Sequence, residues 1–343
     1  MARLAFLSTA HIHTKAFIET IQGTDDGRDG REVAVIWDDV EDRGRRYAEM
    51  AGAPYEANLD VVLGDESIDG FIICCENTRH LPLLRATLPM GKPVFCEKPL
   101  VTSTKQLVDL RELVAANPGT VLFGGYFQFY DAAMQSMRKL IVDGGLGTIT
   151  RARYRNAHHA AYGRWFDSPD LAWFANPALA GGGGFFDMGT HALHALRSIF
   201  GPAKQVWADI ANESGEYPEC DDYGIAHLRF VNGVKATVEA GWTQTGGSSG
   251  LEVVGSERCL WHDGERYVVA QPRETPEPLE ITMPERPFRV ERLLAVIRGE
   301  LSEDELKWDL EASMDIISWM EAAYTGRSPT LSAQAEREWF PFS

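Results

Sequence analysis

Residues 4–21 read LAFLSTAHIHTKAFIETI, a stretch whose pattern indicates the class of the fold. Its first four residues, Leu4 to Leu7, form an apolar run that predicts a buried strand. From His13 to Ile21 apolar residues recur with helical spacing, and a second apolar strand follows at Val33 to Trp37. The stretch therefore opens a strand, helix, strand unit of the kind that builds a parallel sheet.

The same alternation continues as far as residue 124. Further strands are predicted at Phe71 to Cys74, Pro93 to Cys96 and Val121 to Gly124. Helices are predicted at Asp42 to Ala51, His80 to Leu88 and Lys105 to Ala115. Nearly continuous apolar strands separated by amphipathic helices indicate a doubly wound parallel sheet of the α/β class, covered on both faces.

The pattern changes after Gly125. A helix predicted at Ala132 to Val142 ends at Asp143-Gly144-Gly145, where glycine supplies a left-handed cap. Longer strands of alternating polarity are predicted at Ile149 to Arg155, Gln205 to Ile210, Tyr223 to Phe230, Lys235 to Gly241 and Leu251 to Gly255. We expect one large, open and mainly antiparallel sheet, in which Asn232-Gly233 forms a tight hairpin turn. A last helix, Asp309 to Tyr324, ends at Gly326 and is followed by Pro329.

The length and composition indicate a compact protein of two domains. At 343 residues the chain exceeds the size that one hydrophobic core usually serves, and we place the domains at residues 1–124 and 125–343. The formal charge of −17 would repel phosphate backbones and anionic lipid, so neither nucleic acid nor a membrane is expected as a partner. The opening apolar run is too short for a signal peptide, which predicts a cytoplasmic location.

The five cysteines predict no metal site. They are Cys74, Cys75, Cys96, Cys220 and Cys259, and none has the two-residue spacing of a metal knuckle or a redox pair. We interpret most of them as small buried hydrophobic residues.

The turn after the first strand is the predicted cofactor site. In a doubly wound sheet the ligand lies outside the carboxyl ends of the strands, where backbone N–H groups at a helix start can receive a pyrophosphate. The residues predicted to do so are Ser8, Thr9, Ala10, His11, Ile12 and His13. They lack the G-x-G-x-x-G fingerprint, because Ser8 and Ala10 occupy the first two glycine positions and His13 the third.

An acidic pair, Asp38-Asp39, follows the second strand. A carboxylate there can accept hydrogen bonds from the adenosine ribose, and it would repel a 2′-phosphate, so Asp38 favours NAD over NADP. Asp38 could instead merely begin the following turn. The nearby arginines, which are Arg43, Arg45 and Arg46, leave NADP open as an alternative.

Two further segments carry a family resemblance. Residues 91–100 read GKPVFCEKPL, and residues 181–191 read GGGGFFDMGTH. Together they resemble the glucose-fructose oxidoreductase, inositol dehydrogenase and MocA family of NAD(P)-dependent oxidoreductases. The resemblance extends over nearly the full chain, and the residues that also match are Asn77, His80, Trp173, Gly255 and Gly326.

The resemblance implies an N-terminal NAD(P)-binding Rossmann domain, a C-terminal α/β domain for substrate binding and oligomerisation, and an active site between them. It implies that Lys98, Asp187 and His191 carry the chemistry, the last two separated by the family's usual four residues. It also implies that Asn77, His80, Glu97 and Lys98 contact the cofactor. A homodimer or homotetramer is expected on the same ground.

The chemistry of such a site can be argued from the residues. Removing a hydride from a secondary alcohol requires the hydroxyl proton to leave, and histidine is suited to accept it. The Lys98 ammonium would stabilise the developing alkoxide. On a predicted helix from Phe185 to Phe200, Asp187 lies one turn from His191 and could orient it or bind a substrate hydroxyl. The alternative is a core histidine with a capping aspartate.

The expected substrate is a sugar, polyol or glycoside. The residues predicted to bind it are Lys98, His158, His159, Trp173, Asp187, His191 and His194. His194 stands where the family often has an aspartate. His158 and His159 lie with aromatic and charged residues on a long segment that suits carbohydrate binding, although a solvated surface loop would have the same composition.

Two other functions remain open at this stage. One is redox-neutral glycoside cleavage with a tightly held NAD, which a metal could assist, since six of the nine histidines form close pairs: His11/His13, His158/His159 and His191/His194. The other is a catalytically silent sugar or NAD sensor, which the glycine-poor first turn favours. Retention of the lysine, aspartate and histidine argues against the sensor.

Overall fold

The computed structural model describes residues 2–23 and 30–326. Pro329, predicted to follow the last helix, lies outside these ranges. Within them, no helix combines the length and the apolar character needed to cross a membrane.

The N-terminal part of the chain forms a five-stranded parallel sheet. Its strands are β1 (Ala2–Leu7), β2 (Arg31–Trp37), β3 (Gly70–Ile73), β4 (Val94–Cys96) and β5 (Leu122–Gly124). They lie in the order β2-β1-β3-β4-β5, and every neighbouring pair is parallel. All four residues of β3 are buried, as a strand covered on both faces requires. The predicted parallel sheet is confirmed.

Helices cover both faces of this sheet. They are α1 (Thr14–Gln22), α2 (Glu41–Ala51), α3 (Leu59–Gly64), α4 (His80–Thr87) and α5 (Thr104–Ala116). Phe17 and Ile18 of α1 pack with β1 on one face, whereas Leu84 of α4 and Leu110 of α5 pack on the other. The sheet is therefore doubly wound, and its strand order reverses between β1 and β3.

The C-terminal part forms an eight-stranded sheet. Its strands are β6 (Ile149–Ala157), β7 (Ala203–Ala211), β8 (Tyr223–Phe230), β9 (Lys235–Gly241), β10 (Gly250–Gly255), β11 (Cys259–His262), β12 (Tyr267–Ala270) and β13 (Glu277–Pro278). They lie in the order β13-β12-β11-β10-β6-β9-β8-β7. Six neighbouring pairs are antiparallel, which confirms the mainly antiparallel expectation. The Asn232-Gly233 turn joins β8 to β9, with Gly233 at φ 93°.

The sequence pattern did not reveal two features of this sheet. The central strands β6 and β9 are parallel. The chain between them forms a helix and the strands β7 and β8 before β9 runs beside β6 in the same direction. Strands β11 to β13 were not predicted, since they are two to four residues long and only partly buried.

Between residue 125 and residue 326, where the description ends, five helices accompany this sheet: α6 (Ala132–Val142), α7 (Pro177–Ala180), α8 (Gly184–Phe200), α9 (Arg289–Ile297) and α10 (Glu303–Thr325). Helix α8 is buried nearly all round, between the large sheet and α10. Its start requires glycine, because a Cβ on Gly183 would lie 2.0 Å from the Asp221 carbonyl oxygen and one on Gly184 2.7 Å from that of Asp222. The glycine run therefore lets α8 begin in direct contact with backbone.

The last two helices return to the first sheet. Val290 and Leu293 of α9 belong to the core on the α1 face, and Met314 and Ile317 of α10 belong to the core on the α4 face. A division between residues 124 and 125 therefore separates the two sheets. It does not separate the helices, because α9 and α10 follow residue 125 in the chain but pack on the first sheet.

His194 shows how closely α8 is packed. The side chain is buried, and its ring stacks on Tyr126 with centroids 4.0 Å apart and planes 4° apart. Burial, reinforced by the charges of Arg197 and Arg292, lowers the pKa of His194 to about 3. The imidazole is therefore neutral in the folded protein at neutral pH.

We expect this histidine to make stability depend on pH. The unfolded chain takes up a proton below about pH 6.5 and the folded chain does not, so the stability from His194 is complete above that pH and is lost as pH falls toward 3. Going from about pH 6.5 to about pH 5 should remove about 2 kcal/mol. His194→Phe keeps the stack and should abolish that share of the slope in urea unfolding. His227→Asn, a change on the large sheet, should leave the slope intact, and an unchanged slope in His194→Phe would contradict the assignment.

Candidate active site

Lys98 joins the two parts of the chain. It follows β4 in a turn that contains a cis peptide bond to Pro99, and its buried Nζ donates to Asp187 Oδ1 at 2.6 Å and to the Asp187 carbonyl at 3.1 Å. The buried ring of His80 lies between the carbonyl oxygens of Pro99 and Cys75, at 2.8 and 3.2 Å. His80, predicted to contact the cofactor, therefore supports the turn that aims Lys98.

Asp187 lies in the first turn of α8 and has a partner for each carboxylate oxygen. Lys98 bonds Oδ1, and the indole Nε1 of Trp242 donates to Oδ2 at 3.0 Å. Burial alone would raise the pKa of this carboxyl, but the adjacent ammonium outweighs burial and holds it well below its usual value. The sequence analysis missed Trp242, although its place directly after β9 was a usable signal.

His191 lies one helical turn beyond Asp187. Its ring is buried, edge-on to Phe127 with centroids 5.0 Å apart, and its Nδ1 has no hydrogen-bond partner among the described residues. Burial, reinforced by the charge of Lys98, lowers the pKa of His191 well below its ordinary value. A neutral imidazole whose Nδ1 has no partner among the described residues retains the capacity to accept a proton.

The remaining residues predicted to bind substrate separate into different places. His158 follows β6, is within electrostatic range of Asp187 and stacks on Trp165 at 4.8 Å. His159 is exposed and meets the same indole edge-on. His194 is buried behind His191 on the Tyr126 ring. Of these three histidines, His158 is therefore the one near the charged pair.

Trp173 packs on the first turn. Its Nε1 donates to the Ala10 carbonyl at 3.1 Å, and its ring stacks on Phe174 with centroids 3.9 Å apart. Phe174 in turn lies 5.4 Å from the ring of His11. Trp173 therefore lies at the carboxyl edge of the first sheet. Together with Phe174 it packs against the turn that follows β1.

The Asp38 side chain stabilises the turn that follows β1. The Asp38 carboxylate is buried and accepts from the Thr9 N–H at 2.7 Å and the Thr9 hydroxyl at 2.6 Å. It also accepts from the Val40 N–H and from the guanidinium of Arg43, which reaches Ser8 Oγ as well. Ser8 has φ 67°, in the left-handed region, where glycine would be easier to place.

These contacts leave Asp38 without an accessible lone pair for a ribose hydroxyl. The neighbouring carboxylate of Asp39 is one-third exposed and pairs with Arg79, whose side chain is also exposed. Burial, only partly offset by Arg79, raises the pKa of Asp39. Asp38 therefore supports the turn, and Asp39 is the carboxylate that a ligand at this edge can reach.

Two buried polar atoms at the carboxyl edge of the first sheet lack a partner among the described residues. They are Oδ1 of Asn77, whose Nδ2 donates to the Ala180 carbonyl, and Nε2 of His11. Ile12 of the same turn is exposed. The unpaired Asn77 oxygen, beside a largely buried turn from which Ile12 projects, suits a polar ligand such as a dinucleotide, so the residues present fit the predicted cofactor.

Comparison with known proteins assigns both parts of the chain. Residues 9–125 match the model of the oxidoreductase family with an NAD-binding Rossmann fold. Residues 134–260 match the model of the GFO/IDH/MocA C-terminal domain.

Individual proteins agree with these matches. The 1,5-anhydro-D-fructose reductase of Ensifer adhaerens is 29% identical over 265 residues, 76% of this chain and 75% of that protein. The solved inositol dehydrogenase homologue of Azotobacter vinelandii, complexed with NAD⁺, has a TM-score of 0.77, 20% identity and 94% coverage of each chain. A levoglucosan dehydrogenase, solved with NADH and levoglucosan, has a TM-score of 0.77 at 18% identity and covers 94% of this chain and 96% of its own.

At such low identity the two solved structures establish the shared fold alone. The matches to the two domain models cover different halves of the chain and name one family. This chain belongs to the GFO/IDH/MocA oxidoreductases, and its N-terminal part is their NAD-binding Rossmann domain.

Proposed function

We propose that this protein is an NAD-dependent dehydrogenase or reductase that interconverts a secondary hydroxyl and a keto group of a sugar or polyol. The observation that carries the proposal is the buried contact of Lys98 with Asp187, one helical turn from a neutral His191. A cation and a proton acceptor at one site are what removal of a hydroxyl proton needs.

The two side chains have distinct tasks. When bound, NAD supplies the acceptor for the hydrogen that leaves the substrate carbon. His191 takes the hydroxyl proton on the ring nitrogen that faces the substrate. Lys98 donates a hydrogen bond to the same oxygen and stabilises its growing negative charge, while Asp187 holds the ammonium in position.

We assign the rest of the substrate to a cavity on the large sheet, close to the start of α8. A cavity of about 590 Å³ is lined by Gln128, Asn156 and the segments 247–250 and 262–264. Asn156 Nδ2 donates to the carbonyl of Met188, the residue after Asp187, so one lining residue of the cavity contacts the backbone next to the charged pair. Its lining is rich in amide, hydroxyl and charged groups, which suits a ligand with several hydroxyls.

The relatives point to the same class of substrate. One is named 1,5-anhydro-D-fructose reductase, another is an inositol dehydrogenase homologue, and a third was solved with levoglucosan. These names describe those proteins, and the shared hydroxyl-bearing ring is what we extend to this chain.

The charge at the adenosine end supports NAD as the preferred cofactor. Three carboxylates, Asp38, Asp39 and Glu76, stand against two guanidinium groups, those of Arg43 and Arg79. The carboxylates are in excess, and a 2′-phosphate would add further negative charge. Arg79 is the exposed cation through which NADP could still bind.

Removing either proton-handling group should eliminate turnover. Lys98→Met and His191→Asn should each lower kcat at least about 100-fold with a sugar or polyol, because general acid–base catalysis contributes that much. The measurement is reduced-cofactor absorbance with NAD and a panel of polyols, together with circular dichroism to confirm folding.

Matched changes elsewhere serve as controls. Lys235→Met and His227→Asn alter strands β9 and β8 of the large sheet, and both should keep wild-type kcat. Full activity in folded Lys98→Met and His191→Asn would remove the assigned roles.

The carboxylate that selects the cofactor can be identified by mutation. Asp39→Asn should raise kcat/KM for NADP relative to NAD by about tenfold, because it removes one charge that faces the 2′ position. Asp60→Asn, an exposed acid in α3, is the control. No change of the NADP to NAD ratio in Asp39→Asn would show that another residue reads the ribose.

A further inference from the structure

Two imidazoles and one carboxylate lie close together at the turn that follows β1. The proposed redox chemistry does not use this cluster. One nitrogen each from His11 and His13 and one oxygen from Glu97 lie within 4.8 Å of one another. The histidines belong to the turn after β1, and Glu97 follows β4 directly before Lys98. Distant parts of the chain therefore bring three donor atoms together.

The hydrogen bonds within the cluster leave the His11 ring only weakly paired. His13 Nδ1 lies 2.9 Å from Glu97 Oε1, a normal hydrogen bond. His11 Nδ1 lies 3.7 Å from the same oxygen, too far for one, and accepts only a long 3.3 Å bond from the His13 N–H. Its Nε2 is buried without a partner among the described residues. Leaving a buried imidazole nitrogen unpaired costs stability unless a ligand occupies the space.

The Glu97 carboxylate is placed to bind a cation. Its side chain is completely buried, its Oε2 accepts from the Lys98 N–H at 2.9 Å, and its Oε1 faces both imidazoles. The Lys98 ammonium is paired with Asp187, and the Arg289 guanidinium, which is also within electrostatic range of Glu97, donates its Nε to the Gly125 carbonyl. The negative charge of Glu97 is thus directed toward the histidines.

We propose that His11, His13 and Glu97 bind one divalent transition-metal ion, such as Zn²⁺, Co²⁺ or Ni²⁺. Two imidazoles and a carboxylate form a recognised ligand set for these ions, and imidazole disfavours Mg²⁺ and Ca²⁺. Bond lengths near 2.1 Å place the donors of a tetrahedral ion roughly 3.4 Å apart, so binding needs the most widely separated donors to approach by up to about 1.4 Å. His13 is partly exposed and can supply much of this movement.

The site has a definite place in the fold. Three protein ligands leave at least one coordination position for water or a substrate oxygen. The cluster is within electrostatic range of Lys98 and Asp187, which both influence the pKa of His11. The metal would therefore link the turn that follows β1 to the end of β4, on the cofactor side of the proposed active site.

Cobalt titration tests the site on the whole protein. After chelation and dialysis, we expect the wild type to bind one Co²⁺ per chain, with a visible absorption band from nitrogen and oxygen ligation and a raised unfolding temperature. His13→Asn and Glu97→Gln should weaken binding at least about 100-fold and abolish the band, because loss of a direct ligand costs at least as much as loss of its supporting partner. His227→Asn should bind like the wild type.

The outcomes are decisive in both directions. A wild type that binds no Co²⁺ or Zn²⁺ would overturn the proposal, as would a His13→Asn protein that binds with unchanged affinity and spectrum. The partly exposed His13 makes its variant the one most certain to fold, and circular dichroism checks it. If Glu97→Gln unfolds, the wild-type spectrum and His13→Asn still decide the result.

Discussion

The buried ion pair between Lys98 and Asp187 is the constraint on which the site depends. Lys98 comes from the carboxyl edge of the parallel sheet, and Asp187 comes from a helix packed on the large sheet. Removing two charges from water costs free energy. That cost is offset only when the two groups are in close contact and their remaining donors and acceptors form hydrogen bonds. The Asp187 carbonyl and the Trp242 indole supply the further hydrogen bonds. The relative position of the two sheets therefore decides whether the pair can exist.

A row of aromatic rings maintains that relative position. Trp242, which holds Asp187, lies 4.4 Å from Phe166, and Phe166 stacks on Phe174 at 5.3 Å. Phe174 stacks in turn on Trp173, which bonds the Ala10 carbonyl of the first turn. Aromatic contacts of this kind resist sliding because each ring has a preferred orientation toward its neighbour. The charged pair and the cofactor turn are thus two ends of one packed unit.

Local patterning predicted most of the fold, whereas the family resemblance supplied Lys98, Asp187 and His191 as the expected centre of the site. Apolar strands such as β3 and the periodic helix α8 were predictable because their burial follows from spacing along the chain. The parallel contact of β6 with β9 and the position of Trp173 could not be predicted, because both arise from segments that meet only after folding. The same limit applies to Asp38. Its place after β2 was correctly recognised, but the sequence could not show that Thr9 and Arg43 would use its lone pairs.

Helical periodicity explains how two histidines three residues apart acquire different environments. Both His191 and His194 are buried, and burial lowers the pKa of each. His194 faces the Tyr126 ring and two arginines in the core, where proton uptake would serve no ligand. His191 is turned by about 60° around α8, toward Lys98 and Asp187, and each of the two rings keeps one nitrogen without a partner among the described residues. Desolvation makes both rings neutral, and under the proposed function the ring that faces the charged pair is the one that exchanges a proton with a substrate oxygen. Chemical identity and burial therefore do not separate these two histidines, and the direction in which the helix presents each ring does.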